Sequence, residues 1–547
     1  IVRHKAVFEG SVFIPLDMPD SGKCRHPGAW LRNRNGYMMV KICCGMELAI
    51  VGLDGLSENM ISHCQEELPV LNDIMTEGAG GTLLSTTPPV TLPAWTTFWT
   101  GKNPGRHGLY NMTSIDENYK ISSAEINRSE GGVYDMLDDS VFVNLPATFP
   151  REPAGDSLLV RGNSPSPEAA MPDEIKDWEE ADNYRTDYNS VLQSDPEAFL
   201  GDLREIAEAR FNLTRRATEE RDPQLTFVLF SSTDWLFHYL GSRADKSLTT
   251  ELMKDIDEYL GWFRKEADTL LIMSDHGFDA KDTAAYPNKI LENKRLLSTE
   301  PPEDVTTSAR FAVRAIQQFT KRSNLMHELV RRVYNRLIHT EVASELYEVK
   351  EEDIKYASTV AFHDGWGVVY LNDEYFAEAT VLEENYKETR QRVINTLDGA
   401  THHSTDEKLI ERVLAGDDVY EGDAGVVPDI IIVPAQGVQL YQSPMQDRIA
   451  SSTNIYNHRP EGIIYGVGEL VTDQEFEAEI VDMAPTVLHA LGEAVPKDMD
   501  GEIIDDLLAG NREPEMREPI EPGASEERTA GDEEEIRKQL ADLGYLE

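Results

Sequence analysis

The sequence predicts an α/β fold with a mostly parallel sheet flanked by helices, and three observations lead there. Four short, continuously apolar runs, Leu48–Leu53, Leu225–Phe230, Thr269–Met273 and Asp429–Val433, read as strands buried on both faces. Helical periods lie between them, for example Leu248–Phe263 and Met483–Leu491. Polar residues cluster directly after the runs, where an open parallel sheet binds ligands. The 547 residues, 40% hydrophobic and 27% charged, suit one large α/β domain with insertions or two to three ordinary domains. A small binding module and a globally disordered chain are excluded.

Taken in order, the chain divides unevenly. Residues 1–45 carry seven basic residues against three acidic and three of the four cysteines, Cys24, Cys43 and Cys44, with no clear period. They are expected to be an atypical extension outside the native fold, as an upstream misassigned start would produce, because Met46 directly precedes the first convincing strand. Residues 46–510 form the expected main domain. Within it, residues about 280–360 break the strand–helix rhythm with a helical stretch around Ala309–Leu337, read as a cap insertion. Residues 511–547 read as an acidic, Pro/Glu-rich linker followed by an amphipathic helix over Asp532–Leu543, with Ile536, Leu540 and Leu543 on one side.

Charge narrows the partners. Asp and Glu number 99 against 51 Lys and Arg, a net −48, and the first 45 residues at +4 mask a −52 body. Such a surface repels nucleic acid polymers and anionic membranes. The acids are spread along the whole chain and only 19 of the basic residues are Lys, so we read the excess as adaptation to molar salt, where the Debye length falls to ~3 Å. It resembles proteins of halophilic archaea. No run of ~18 apolar residues marks a transmembrane helix, residues 1–45 make a poor targeting signal, and Cys64 alone cannot build a disulfide framework in the body. A cytoplasmic protein is expected, of unknown oligomeric state.

The candidate chemistry sits after the strands. Asp54 ends the first in Val51-Gly-Leu-Asp-Gly55. Asp234 and His238 follow the second in Ser231-Ser-Thr-Asp-Trp-Leu-Phe-His238. Asp275 and His276 end the third in Met273-Ser-Asp-His-Gly277, and His458 lies in Tyr456-Asn-His-Arg-Pro-Glu-Gly462. Each acid alone is as readily a helix cap or turn residue. Three Asp and three His together are the ligands of one or two borderline divalent cations. Thr91, ahead of a helix expected to start near Ala94, is either an N-cap or a hydroxyl placed where a helix N-terminus attracts phosphate.

The string Val90-Thr-Leu-Pro-Ala-Trp-Thr-Thr-Phe-Trp-Thr-Gly-Lys-Asn-Pro-Gly-Arg-His-Gly108 resembles the nucleophile segment of the type I phosphodiesterase/nucleotide pyrophosphatase branch of the alkaline phosphatase superfamily. Asp54, the Asp234-x-x-x-His238 pair, Asp275-His-Gly277 and His458 follow in family order. Val481-Asp-Met-Ala-Pro-Thr-Val-Leu-His-Ala-Leu-Gly492, Asp498-Met-Asp-Gly501 and the terminal Leu543-Gly-Tyr-Leu546 are also typical. The resemblance covers roughly residues 46–547. It implies an alkaline-phosphatase-like core and two metal ions, zinc first and manganese second. One would be held by Asp54, Thr91, Asp275 and His276, the other by Asp234, His238 and His458. It also implies Thr91 as the nucleophile that becomes phosphothreonine. Asn111 stands where the family places an asparagine donating to a phosphate oxygen, one residue closer to His107-Gly108 than in nucleotide pyrophosphatases.

The expected activity is therefore metal-dependent hydrolysis of phosphodiester or nucleotide pyrophosphate bonds in a small phosphate ester or nucleotide. Phosphomonoester hydrolysis or a phosphosugar mutase reaction is the alternative within the superfamily; a sulfatase would need Cys or Ser in place of Thr91. A catalytically inactive protein that binds an anion or metal in a regulatory role is the alternative of another class. Phe98, Trp99, Tyr110, Trp235 and Trp366 are candidates for stacking on a base, with core packing the plainer reading.

Overall fold

The computed structural model describes residues 29–33, 36–40, 46–125, 130–240, 246–299, 354–442, 448–510, 512–520, 522–525 and 528–542. The expected helical stretch Ala309–Leu337, the cysteines Cys24, Cys43 and Cys44, and the terminal Leu543–Leu546 lie outside the described residues. Within the first 45, Ala29–Asn33 and Gly36–Val40 pair as a two-stranded antiparallel sheet of their own.

The centre is an eight-stranded sheet. Its strands are β1 (Met46–Leu53), β2 (Ala79–Leu84), β3 (Ser140–Leu145), β4 (Leu158–Arg161), β5 (Leu225–Phe230), β6 (Ala267–Met273), β7 (Glu461–Gly468) and β8 (Glu475–Glu479). They lie in the order β8-β2-β7-β6-β1-β5-β3-β4, and only β7 runs against the rest. Side chains of a strand alternate between faces, and here both faces are apolar. Ala49, Val51, Leu53, Val228, Phe230 and Ile272 enter one core, and Leu48, Ile50, Phe227, Leu229 and Met273 enter the other. That is why these strands are continuous apolar runs in the sequence.

Helices cover each face. The helices α1 (Thr91–Thr100), α5 (Met483–Ala490) and α6 (Ala530–Asp542) feed one core through Trp95, Phe98, Val487, Leu488, Ile536 and Leu540. The helices α2 (Pro196–Arg221) and α4 (Lys246–Glu266) feed the other through Phe199, Leu203, Ile256 and Phe263. The short helix α3 (Ser232–Leu240) follows β5 directly. The C-terminal helix expected over Asp532–Leu543 is thus part of the main body, and Glu533 fixes it by accepting from the Ser123 backbone N–H at 2.5 Å and hydroxyl at 2.6 Å.

Residues 300–353 of the cap insertion expected at about 280–360 lie outside the described residues. The described residues between Gly277 and Arg459 are built mainly of strands. Gly277–Ala285 pairs with Val438–Leu440 and Ala450–Arg459. A separate four-stranded antiparallel sheet joins Ala361–His363, Val368–Leu371, Ile430–Pro434 and Ile410–Ala415. The run read as a fourth parallel strand, Asp429–Val433, belongs to this second sheet. Ile430, Ile431 and Ile432 are buried in a third apolar core, so burial made an antiparallel strand look like a parallel one.

Candidate functional site

β6, β1 and β5 are neighbours in the sheet, so the residues that follow them meet at one edge. Asp54 leaves β1, Asp234 and His238 sit one helical turn apart on α3 after β5, and Asp275 and His276 bridge β6 to the first cap strand. His458 reaches the same place by strand pairing. Phe278 stands opposite His458 in the antiparallel pair Gly277–Ala285/Ala450–Arg459, and the imidazoles of His276 and His458 stack with centroids 3.6 Å apart.

Two groups of ligand atoms result: Asp54, Asp275 and His276, and Asp234, His238 and His458, each with its atoms within 4.8 Å of one another. In the first, His276 Nε2 is 3.2 Å from Asp275 Oδ2 and 3.7 Å from Asp54 Oδ1. In the second, His458 Nε2 is 3.3 Å and His238 Nε2 3.5 Å from Asp234 Oδ1, and the two Nε2 atoms are 2.9 Å apart. Backbone carbonyls orient two of the rings. The Nδ1–H of His458 donates to Pro89 O at 2.8 Å and that of His276 to Gly277 O at 3.3 Å, so each turns an Nε2 lone pair inward.

Such crowding of acceptors is costly without a cation. Burial, then Asp275 and Asp234, hold Asp54 well above the usual carboxylate range, and burial with Asp234 lifts Asp275 to about 8. Burial acts the same way on Asp234, but His238 and His458 outweigh it and bring this carboxyl to about 2. Burial lowers His238 to about 4 and His276 well below its ordinary value, so both rings are neutral near pH 7 and their Nε2 atoms could serve as ligands. Asp54 Oδ1 and Asp275 Oδ2 are buried with no hydrogen-bond donor among the described residues. These donor sets, with paired oxygen and imidazole atoms facing inward, fit a divalent cation at each group.

Thr91 is the first residue of α1, 8% exposed, with its Oγ1 3.3 Å from His276 Nε2. No side chain caps this helix end, so the first-turn N–H groups of Thr91 and Leu92 face whatever lies at its mouth. The packing that holds the edge is tight. A Cβ on Gly52 would come within 2.7 Å of the Trp95 ring, whose Nε1 donates to Asp54 Oδ2 at 3.4 Å. Gly55 has φ +70, and a Cβ there would meet Phe278 at 2.5 Å.

Asn111 is buried and joins the cap loop: its Nδ2 donates to Asp364 O at 2.9 Å, and its Oδ1 accepts from Met112 N at 2.8 Å. In that loop Trp366, at φ +49, lays its ring 4.6 Å from His458. Of the other aromatic candidates, Phe98, Trp99, Tyr110 and Trp235 are core residues. Sequence reasoning missed Trp95 as a donor to Asp54 and Pro89 as the carbonyl that orients His458. Both contacts are made across the fold and leave no local signal.

The model of the type I phosphodiesterase/nucleotide pyrophosphatase family matches residues 48–462. Similar solved structures include an inactive form of murine ectonucleotide pyrophosphatase/phosphodiesterase 5 in complex with AMP, at 14% identity, 85% of this chain, 100% of that chain and TM-score 0.47. The human protein of that name stands at 15% identity, 85%, 100% and 0.46. Phosphonoacetate hydrolase from Sinorhizobium meliloti, in complex with phosphonoformate, stands at 12% identity, 85%, 99% and 0.48. No curated protein sequence matches the chain. The family match spans most of the chain and contains Asp54, Thr91, Asp234, His238, Asp275, His276 and His458, and the protein belongs to the type I phosphodiesterase/nucleotide pyrophosphatase family of phosphoric ester hydrolases.

Proposed function

We propose that the protein hydrolyses phosphodiester or nucleotide pyrophosphate bonds of small substrates, with Thr91 as the nucleophile. The observation that carries this is Thr91 Oγ1 at the uncapped start of α1, 3.3 Å from His276 of the first carboxylate–imidazole group. Asp54, Asp275 and His276, with Thr91, would hold one divalent cation and Asp234, His238 and His458 a second, zinc first and manganese second. Bound cations would favour the threonine alkoxide and offset charge on the phosphate oxygens.

The chain's own residues supply the rest. Thr91 Oγ1 attacks phosphorus in line, forming the Thr91–phosphate ester as the bond to the leaving oxygen breaks; water then cleaves that ester and restores the hydroxyl. The first-turn N–H groups of α1 orient a nonbridging oxygen, and Asn111 offers the second hydrogen of its Nδ2, the first being given to Asp364 O. We also propose that the acidic surface is an adaptation to high salt, that the protein works in the cytoplasm, and that residues 1–45 lie outside the working fold.

Thr91→Ala tests the mechanism on a p-nitrophenyl phosphate diester at high salt with Zn²⁺ or Mn²⁺. Turnover is expected to vanish while metal content persists; unchanged turnover would sink the role of Thr91.

A further inference from the structure

Residues 85–90 lead into Thr91 and are held from several sides. Ser85 N donates to Pro460 O at 2.9 Å, Thr86 Oγ1 donates to Pro88 O at 2.9 Å, and the Nδ1–H of His458 donates to Pro89 O at 2.8 Å. The Thr87 carbonyl is answered from the cap: the Tyr420 hydroxyl donates to it at 3.0 Å. Pro88 and Pro89 fix φ in the short stretch between that carbonyl and Thr91. Few soft torsions are left there to absorb a shift of Thr87 before it reaches the nucleophile.

Tyr420 follows the cap strand Ile410–Ala415 and is 5% exposed. The backbone on either side of it is tied to Asn103, just past the end of α1. Asn103 Nδ2 donates to Val419 O at 3.1 Å, and Glu421 N donates to Asn103 Oδ1 at 3.0 Å. The Tyr420 ring meets the Tyr110 ring edge-on with centroids 4.8 Å apart. Tyr110 in turn sends its own hydroxyl the other way, to Ala424 O at 2.7 Å. Tyr420 therefore braces both ends of α1, its backbone at the residues after the helix and its hydroxyl at the residues before it. Held by its flanks and by its face, the side chain keeps that hydroxyl in one place.

We propose that Tyr420 is a positioning residue for the nucleophile: through Thr87 O it fixes where Thr91 Oγ1 stands relative to His276 Nε2, 3.3 Å away. This role rests on Thr91 being the nucleophile. In-line attack tolerates little misplacement, since an error of about 1 Å can cost about 10²-fold in rate. The hydroxyl acts through the chain, so its loss is read in the attack step and not in substrate binding.

Tyr420→Phe keeps the ring against Tyr110 and removes only the hydroxyl. With a p-nitrophenyl phosphate diester, kcat and kcat/KM are expected to fall together by about tenfold at unchanged KM, the mark of an interaction that serves only the reacting state. The metal-to-protein ratio is expected to match the parent's. Tyr119→Phe is the control: its hydroxyl donates to Asn372 Oδ1 in the cap at 2.7 Å and makes no bond to residues 85–90, and its kcat is expected to equal the parent's. A loosened cap alone would lower both variants alike, and that result would overturn the proposal. A crystal structure of Tyr420→Phe is expected to show Thr91 Oγ1 displaced from His276 Nε2; an unmoved Thr91 would also overturn it. Parental turnover in Tyr420→Phe with none in Thr91→Ala removes this role and leaves the nucleophile in place, whereas parental turnover in Thr91→Ala removes both.

Discussion

The two ligand groups are assembled by different means. Asp54, Asp275 and His276 all leave neighbouring strands of one sheet, and none exceeds 1% exposure. The other group borrows His458 from a cap-side strand, and its His238 side chain keeps 25% of its surface exposed. A sheet edge fixes atoms through many hydrogen bonds at once, whereas a paired cap strand fixes them through its register. The first group is therefore the rigid one, and the second is where solvent and cap reach the site.

The largest expected effect separates them. Asp275→Ala is expected to cost about 10³-fold or more in kcat/KM, the scale seen when a member of a catalytic unit is removed. His458→Ala is expected to cost less and to lower the metal-to-protein ratio, read by elemental analysis, by one ion. Equal losses in both variants would break the comparison. Chelation comes next: removing divalent ions is expected to lower unfolding stability by about 3 kcal/mol for each ion, the linkage expected at a ligand excess of ~100 Kd per site, with Asp54 Oδ1 and Asp275 Oδ2 then left without a partner among the described residues. Calorimetry with and without chelator checks it.

Gly55→Ala strains the turn that carries Asp54 and presses on Phe278, which packs against His238 and His458. A Cβ at φ +70 that also meets Phe278 is expected to cost about 1–3 kcal/mol, measured by denaturant unfolding. The smallest effect is acid lability, and it has one source in each region. Burial holds His107 beside α1 and His363 in the cap neutral, each lowered to about 3. Leu109 N donates to His107 Nδ1 at 3.2 Å and Gly367 N to His363 Nε2 at 3.1 Å, so protonation would set two donors against each other. The unfolded rings take a proton below an ordinary value of about 6.5 that the folded rings refuse. Their contribution is complete above that value and declines as pH falls toward 3. His107→Gln and His363→Gln are each expected to flatten the stability slope between about pH 6 and 4, which unfolding curves at several pH values will read.

Much of the rigid group was legible. Three apolar runs gave β1, β5 and β6, and polar residues at their ends gave five of the six Asp and His residues that the structure gathers, because a parallel sheet puts chemistry where its strands stop. His458 entered the set by residue type, ahead of an apolar run rather than after one, and then by the order of motifs shared with the family. The pairing of Ala450–Arg459 with Gly277–Ala285, which brings it to His276, is a long-range register that no local pattern encodes. The run Asp429–Val433 was misread as a parallel strand for a related reason. Ile430–Ile432 are as buried as Ile50 or Val228, and burial alone does not tell parallel from antiparallel pairing.

The C-terminal helix α6 has a consequence for the order in which the molecule is made. Ile536 and Leu540 complete the core face on which Trp95 and Phe98 of α1 pack, yet they follow every candidate ligand in the chain and are made after all of them. A nascent chain that already contains every ligand from Asp54 to His458 still exposes the surface those two side chains cover. Until α6 is made, the like-sign repulsion of the acidic body opposes contact between that surface and neighbouring chains.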